Sequence, residues 1–369
     1  MVKNKTFGDY IKILRITRDI GQRELSRFLE VSPSYINDIE NNKRPAPRTE
    51  IIKKIADILE ANLEYLYDLA GKAKNSIPPD VPDIIKKNNE ISPLIRTINR
   101  YRLSGKQIKE IKRKIEEENM KAIIIAAGMG NRLKPLVEDI PKCLLKFGKK
   151  SLLQRQIDSY RANKINDFVI IKGFQKEKIN LPGIKYYVND NYQNNNILSS
   201  LFYAEKEIEG EVIISYSDIL FENQVVERLL ESKKDISIVV DIDWRAYYEG
   251  RDDHPIEEAE NVIFDANNNV VEIGKILTQK YDVHGEFIGM IKLTSRGSEI
   301  VKKHFNNAKK LFLGKPFQRA SVFEKAYLTD IIQEMVDLGV PVHCVIIKRG
   351  WKEIDTIEDY QKALKEFKD

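Results

Sequence analysis

Cysteine is nearly absent from this 369-residue chain, which carries only Cys143 and Cys344. Two thiols cannot build a disulfide framework or a zinc site. No Ser/His/Asp or Cys/His set stands out, so a triad mechanism lacks its residues. No apolar run is long enough to span a bilayer and nothing resembles a signal peptide, which predicts a soluble, cytoplasmic protein. Net charge is missing from the larger part of the chain. Residues 120–369 hold 37 Lys and Arg against 38 Asp and Glu, whereas residues 1–119 hold 24 against 18 and so carry the whole excess of +5. That local excess suits a polyanionic partner, although charge alone is poor evidence for DNA. The length leaves room for two or three domains.

What is present centres on residues 120–159. The apolar run from Ala122 to Ala127 is short, Ile-rich and unbroken, as in a central parallel strand buried on both faces. It is followed by Gly128-Met129-Gly130-Asn131-Arg132, where two glycines let backbone N–H groups approach an anion and the arginine adds charged donors. Neither familiar glycine motif is complete, because a third glycine and a G-K-[ST] ending are both missing. A second cation returns in Pro141-Lys142-Cys143-Leu144-Leu145, ahead of Gly148 and a helical pattern at Leu152, Leu153 and Ile157. Together these predict a polyphosphate pocket.

The combination A-A-G-x-G-x-R-L at Ala126 to Leu133 and P-K-x-L-L at Pro141 to Leu145 resembles the nucleotidyltransferases that make nucleoside-diphosphate sugars and related activated head groups. The resemblance covers residues 120–369. It implies a nucleotide loop of Ala126, Ala127, Gly128, Met129, Gly130, Asn131 and Arg132, with Lys142 and Arg132 as the catalytic cations. Apolar runs alternate with helical stretches after this loop (Phe168 to Ile171, Ile184 to Val188, Val212 to Ser215, Ile236 to Val240), which predicts an α/β doubly wound, mainly parallel, Rossmann-like sheet. Ligands in such sheets lie beyond the carboxyl ends of the strands. Asp218 occupies such a position, and a carboxylate there can hold Mg²⁺ beside phosphate oxygens. Asp355, in a W-x-E-I-D-T-like segment of the kind found in cytidylyl-transferring families, is the expected second ligand, with Thr356 able to cap the final helix, Thr356 to Phe367.

Closer likeness is to phosphocholine and phosphonate cytidylyltransferases. Asn196-Ile197-Leu198-Ser199 resembles their N-I-x-S segment, which implies that Asn196 and Ser199 face the nucleotide and Asn195 the acceptor. Dispersed matches around residues 217–221, 238–244, 272–275 and 285–289 imply that Asp241, Trp244 and Glu286 line an acceptor pocket, where carboxylates and an aromatic face suit a cationic amine. The charged segment Arg245 to Glu260 reads equally as an acceptor-side lid or an exposed loop.

Residues 6–69 show short helical patterns instead. Ser32 is placed as an N-cap with Pro33 at the first helical position, which turns Ile36 and Ile39 inward and leaves Ser34, Tyr35 and Asn37 outside. Two helices joined by a tight Glu30-Val31 turn satisfy the geometry of major-groove readout. The pattern from Gln22 to Arg44 resembles the Cro/lambda-repressor class of helix-turn-helix. That implies base or backbone contacts from Gln22, Ser34, Tyr35 and Asn37, and phosphate contacts from Lys43 and Arg44. The expected organisation is an all-α helix-turn-helix domain at 1–70, a linker with helices at 71–119 and the nucleotidyltransferase domain at 120–369. Within it, 75–82 is a proline-rich break, and helices are expected at 94–103 and 105–118.

The expected activity is Mg²⁺-dependent transfer of CMP from CTP, or another NTP in its place, to a phosphorylated or phosphonate small molecule. DNA is the expected partner of the N-terminal domain in a homodimer. Two other readings stay open: a sugar-1-phosphate uridylyl- or thymidylyltransferase, and a transcriptional regulator whose C-terminal domain senses nucleotide.

Overall fold

The computed structural model describes residues 6–366 apart from 60, 62, 250, 252 and 278–282. The chain divides into two compact units, Met1–Ile108 and Lys109–Asp369.

In the first unit, helices Phe7–Thr17, Gln22–Phe28, Pro33–Glu40, Thr49–Ile58 and Leu63–Ala73 enclose a core that includes Phe7, Ile11, Leu25, Ile36, Ile39, Ile52 and Leu66. The Ser32 hydroxyl accepts from Tyr35 N at 3.2 Å and Pro33 opens the helix, as the capping argument requires. The turn between the second and third helices passes through Glu30 in the left-handed region (φ 56). Close packing of the first helix on the third depends on Gly8, since a Cβ there would lie 2.0 Å from the Ile39 carbonyl oxygen. Beneath this contact the Arg15 guanidinium grips Glu40 with two bonds, of 2.6 and 2.9 Å.

The proline-rich stretch is not wholly extended. Val81 and Pro82 form the first turn of a helix, Val81–Lys87, because proline costs nothing where the amide has no intrahelical partner. The next helix is Ile91–Arg100, three residues earlier than the pattern predicts at both ends, and Gly105–Glu118 follows as expected.

The second unit is built on a nine-stranded sheet. Lys121–Ala126 lies inside it, with Asp167–Lys172 and Val212–Tyr216 parallel on either side and Lys185–Val188 beyond the former. Gly285–Leu293 runs antiparallel beside Val212–Tyr216, and pairs in turn with Ile236–Asp241 and Asn261–Phe264. His343–Ile347 adds parallel to Ile236–Asp241, and Val270–Gly274 closes antiparallel on Asn261–Phe264. Seven strands thus share one direction. Apolar clusters cover both faces of the sheet, which is why its central strands read as unbroken apolar runs. The final helix is Ile357–Glu366 within the described residues, and its expected end at Phe367 lies outside them. No helix among the described residues is long and apolar enough to cross a membrane.

Candidate active site

A cavity of about 390 Å³ opens where Lys121–Ala126 and Val212–Tyr216 end. The glycine loop forms one wall. Gly130 adopts φ 62, and a Cβ on it would come within 3.1 Å of the Lys142 side chain, so glycine serves both the turn and the room that lysine needs. Lys142 sits in a short 3₁₀ turn, Lys142–Leu144, with 8% of its surface exposed.

One small apolar cluster aligns the charges. Leu133, Leu145, Leu220 and Ile354 pack together with Val137 and Phe147, and each is within three residues of Arg132, Lys142, Asp218 or Asp355. A two-stranded ladder, Ile219–Phe221 against Trp351–Glu353, then brings the two aspartates side by side, with Ile354 N donating to Asp218 O at 2.8 Å. Lys142 Nζ lies 3.0 Å from Asp218 Oδ2 and also binds Asp355 Oδ1, while Arg132 Nη2 binds Asp355 Oδ2. Two carboxylates therefore share one cation. Asp218 Oδ1 is buried and has no hydrogen-bond partner among the described residues, so the hard oxygen donors of these two aspartates fit a divalent cation.

Residues 122–268 match the MobA-like NTP transferase domain family, and residues 11–66 match the helix-turn-helix family. The chain carries an NTP transferase domain and, ahead of it, a helix-turn-helix domain. It is 28% identical over 253 residues to the CTP:phosphoglutamine cytidylyltransferase of Campylobacter jejuni, covering 66% of this chain and 98% of that protein. It is also 38% identical over 117 residues to the choline-phosphate cytidylyltransferase of Streptococcus pneumoniae, covering 31% of this chain and 51% of that protein. In fold it is similar to the inositol-1-phosphate CTP transferase from T. maritima, with a TM-score of 0.53 at 24% identity over 68% of this chain and 98% of that one.

Most of the residues anticipated for the transferase pocket come together. Ala126, Ala127, Gly128, Gly130, Asn131, Arg132, Lys142, Asn195, Asn196, Asp218, Glu286 and Asp355 all line the cavity. Met129 and Ser199 do not. On the short helix Ile197–Leu201 it is Ser200 that reaches the lining, while Ser199 Oγ donates to Glu324 O at 3.1 Å. Asn196 caps that helix, and Asn195 exchanges amide hydrogen bonds of 2.8 and 3.1 Å with Asn189.

Asp241 and Trp244 are likewise absent from the lining. Asp241 is fully buried, its Oδ2 taken by Arg349 at 3.1 Å and the Trp351 indole at 2.8 Å, so it anchors the chain at the start of the ladder Trp351–Glu353. Trp244 is buried against Tyr248 and Ala259, and the Arg245 guanidinium lies over its ring, 5.3 Å from the centroid.

Segment 245–260 is not a simple exposed loop among its described residues. Arg251, His254 and Glu260 are buried, and His254, Glu258 and Glu260 line the cavity. Arg251 Nη2 lies 2.8 Å from His254 Nδ1. A guanidinium only donates, so that nitrogen accepts and the ring proton sits on Nε2, toward Glu353 Oε2 at 3.5 Å. His254, Glu353 and Asp355 are close enough to hold a cation, but this tautomer leaves the histidine no lone pair for one.

The far end of the cavity is acidic. Burial pushes the Glu286 carboxyl up to about 8, against a 2.6 Å hydrogen bond from Tyr248, and Oε2 has no partner among the described residues. Burial also pushes Glu260 up to about 8, with Tyr216 donating at 3.2 Å. Glu258, Glu260 and Glu353 are not among the expected site residues; the dense charge of 245–260 signals the first two and the W-x-E-I-D-T-like segment the third. Burial raises the Cys143 thiol to about 12, which rules it out as a nucleophile beside Lys142.

A carboxyl raised on folding contributes stability that is complete below its ordinary value of 4.5 and is lost as pH rises through about 8. Glu286→Gln is therefore expected to flatten the decline in Tm across that window, as thermal melts at stepped pH would record. An unchanged slope would mean that Glu286 is ionised throughout.

The N-terminal candidates divide. Ser34, Lys43 and Arg44 are exposed, and Asn37 is partly so, with its Oδ1 accepting from Asn41 at 2.9 Å. Arg44 stacks over the Tyr35 ring at 4.9 Å. Gln22 Nε2 is drawn to Glu40 Oε2 at 2.7 Å, which ties it to the Arg15–Glu40 pair.

Proposed function

We propose that residues 120–369 transfer CMP from CTP to a phosphorylated or phosphonate small molecule and release pyrophosphate. The observation that carries this reading is the convergence of Arg132, Lys142, Asp218 and Asp355 on one point of the cavity. The cytidylyltransferase names of the Campylobacter and Streptococcus relatives favour CTP over other triphosphates.

An acceptor phosphate with its second pKa near ~6 is already mostly anionic at neutral pH, so no general base is needed. Its oxygen attacks the α-phosphorus as the bond to the β-phosphate oxygen breaks. Lys142 is placed to hold the attacking group and the α-phosphate, and Arg132 with the loop amides to stabilise the departing pyrophosphate. Asp218 and Asp355 would hold Mg²⁺, which when bound neutralises phosphate charge. A cationic head such as an amine or a quaternary ammonium would draw the buried Glu260 and Glu286 carboxyls into their ionised forms, which gives the acceptor end a preference for such a head.

The test is a panel of four nucleoside triphosphates against phosphocholine, aminoethylphosphonate and sugar-1-phosphates, read by pyrophosphate release. Faster turnover of UTP or dTTP with a sugar-1-phosphate would replace this reading.

We further propose that residues 1–70 bind a two-fold operator as a homodimer, with 71–119 as the connecting segment. Exposed Ser34, Lys43 and Arg44 on and beyond the helix Pro33–Glu40 support it. Replacing Lys43 or Arg44 is expected to weaken all duplexes alike and to flatten the salt slope by about one each. Asn37→Ala should instead cost ~1–3 kcal/mol at one base position. Random-duplex selection followed by salt titrations would check both, and no enriched sequence would move the module to protein binding.

A further inference from the structure

We propose that Arg251 and Asp359 form the positioning pair that sets Asp355 for cation binding, an inference that rests on Asp355 being a metal ligand. Asp355 stands at the junction between Trp351–Glu353 and the final helix, where the first backbone amides lack intrahelical acceptors. Asp359 Oδ2 accepts from Asp355 N at 3.1 Å and from Thr356 N at 2.9 Å, and Thr356 Oγ1 accepts from Asp359 N at 3.1 Å. This reciprocal cap fixes the backbone from which the Asp355 carboxylate projects.

A cap alone does not require a cation. Here the Arg251 guanidinium clasps Asp359 with bonds of 2.6 and 3.0 Å, and both side chains are 1% exposed. Burying such a pair brings little net stability, whereas its fixed fork geometry specifies where the aspartate sits. The same guanidinium donates to His254, a residue of the cavity wall. Arg251 thus ties segment 245–260, which supplies the acidic end of the cavity, to the turn that carries Asp355. Neither Arg251 nor Asp359 lines the cavity, so the pair acts through Asp355.

The full chain is titrated with Mn²⁺, with and without CTP, and bound metal is read by electron paramagnetic resonance. Arg251→Ala and Asp359→Ala are expected to weaken Mn²⁺ binding about tenfold or more, the usual scale for losing a partner that orients a ligand. The KM for metal should rise with it, while kcat at saturating metal stays close to that of the native chain. Arg251→Lys, which keeps the charge without the fork, should fall between and guards against loss of folding in the alanine variants. Lys121→Met removes a comparable ion pair with Glu207, 2.7 Å long, and should lower Tm without changing metal affinity. Native Mn²⁺ affinity in folded Arg251 and Asp359 variants would overturn this inference alone, as would an equal loss in Lys121→Met. A native chain that binds no metal would overturn the assignment of Asp355 as well.

Discussion

Lys142→Ala and Asp218→Ala are each expected to lower turnover by about 10²-fold or more, measured as pyrophosphate release, because each removes charge stabilisation that grows as the α-phosphate is attacked. The two losses have different origins. Lys142 Nζ is the cation common to Asp218 and Asp355, so its removal leaves two adjacent carboxylates uncompensated. Metal alone should then bind more tightly even as turnover falls, since the ammonium no longer competes for the same oxygens. Asp218→Ala frees Lys142 from one partner and takes away the buried oxygen Oδ1, which has none among the described residues, so metal affinity should drop together with rate. Near-native rates in either variant would remove the charge cluster from the mechanism. A fall in rate with metal affinity unchanged in both would limit the aspartate to shaping the pocket.

Glu40→Ala is expected to lower the Tm of the helix-turn-helix domain sharply. Glu40 is completely buried in its side chain, accepts both bonds from Arg15 and also receives Gln22. Truncating it strands a guanidinium in the core, which typically costs ~3–5 kcal/mol, and for a domain of this size that corresponds to a drop in Tm of roughly 12 °C or more. Thermal melts and limited proteolysis of the N-terminal region would measure it. Replacing Arg15 and Glu40 together by apolar residues of similar volume should recover most of the loss, because the cost lies in the unpaired charge. A small effect from Glu40→Ala alone would mean that water reaches Arg15.

The same buried pair shows where sequence reading loses its grip. Gln22 opens the second helix and fits a DNA contact by pattern, yet Glu40, eighteen residues later, takes its amide. Periodicity locates Glu40 near the core face but does not say that an arginine from the first helix waits there. Ser34 is easier to place, since its exposure on a capped helix follows directly from Ser32, Pro33, Ile36 and Ile39.

The acceptor side repeats the point at larger range. Asp241 ends a strand, as a ligand-binding carboxylate would, but Arg349 and Trp351 arrive from 108 and 110 residues downstream and consume it. Ser199 and Ser200 differ by one position, and a helix turns about 100° per residue, so a motif match cannot decide which hydroxyl meets the cavity. Glu353 stands in the W-x-E-I-D-T-like segment and Glu260 in a run of dense charge, but neither signal says that the side chain meets a cavity. Their role as cavity carboxyls exists only because the strand Gly285–Leu293 and the ladder Trp351–Glu353 are folded against the nucleotide loop.

The two modules, the parallel core, the glycine loop and the four charges Arg132, Lys142, Asp218 and Asp355 are legible in contiguous residues, because their spacing is dictated by a strand end, a glycine turn or a helix cap. Folding in three dimensions brings those charges together over one apolar cluster, buries Asp241 and Trp244 away from the cavity lining, and joins Arg251 to Asp359. These depend on contacts between residues far apart in the chain, and burial and pairing at such distances are set by packing, which local pattern does not encode.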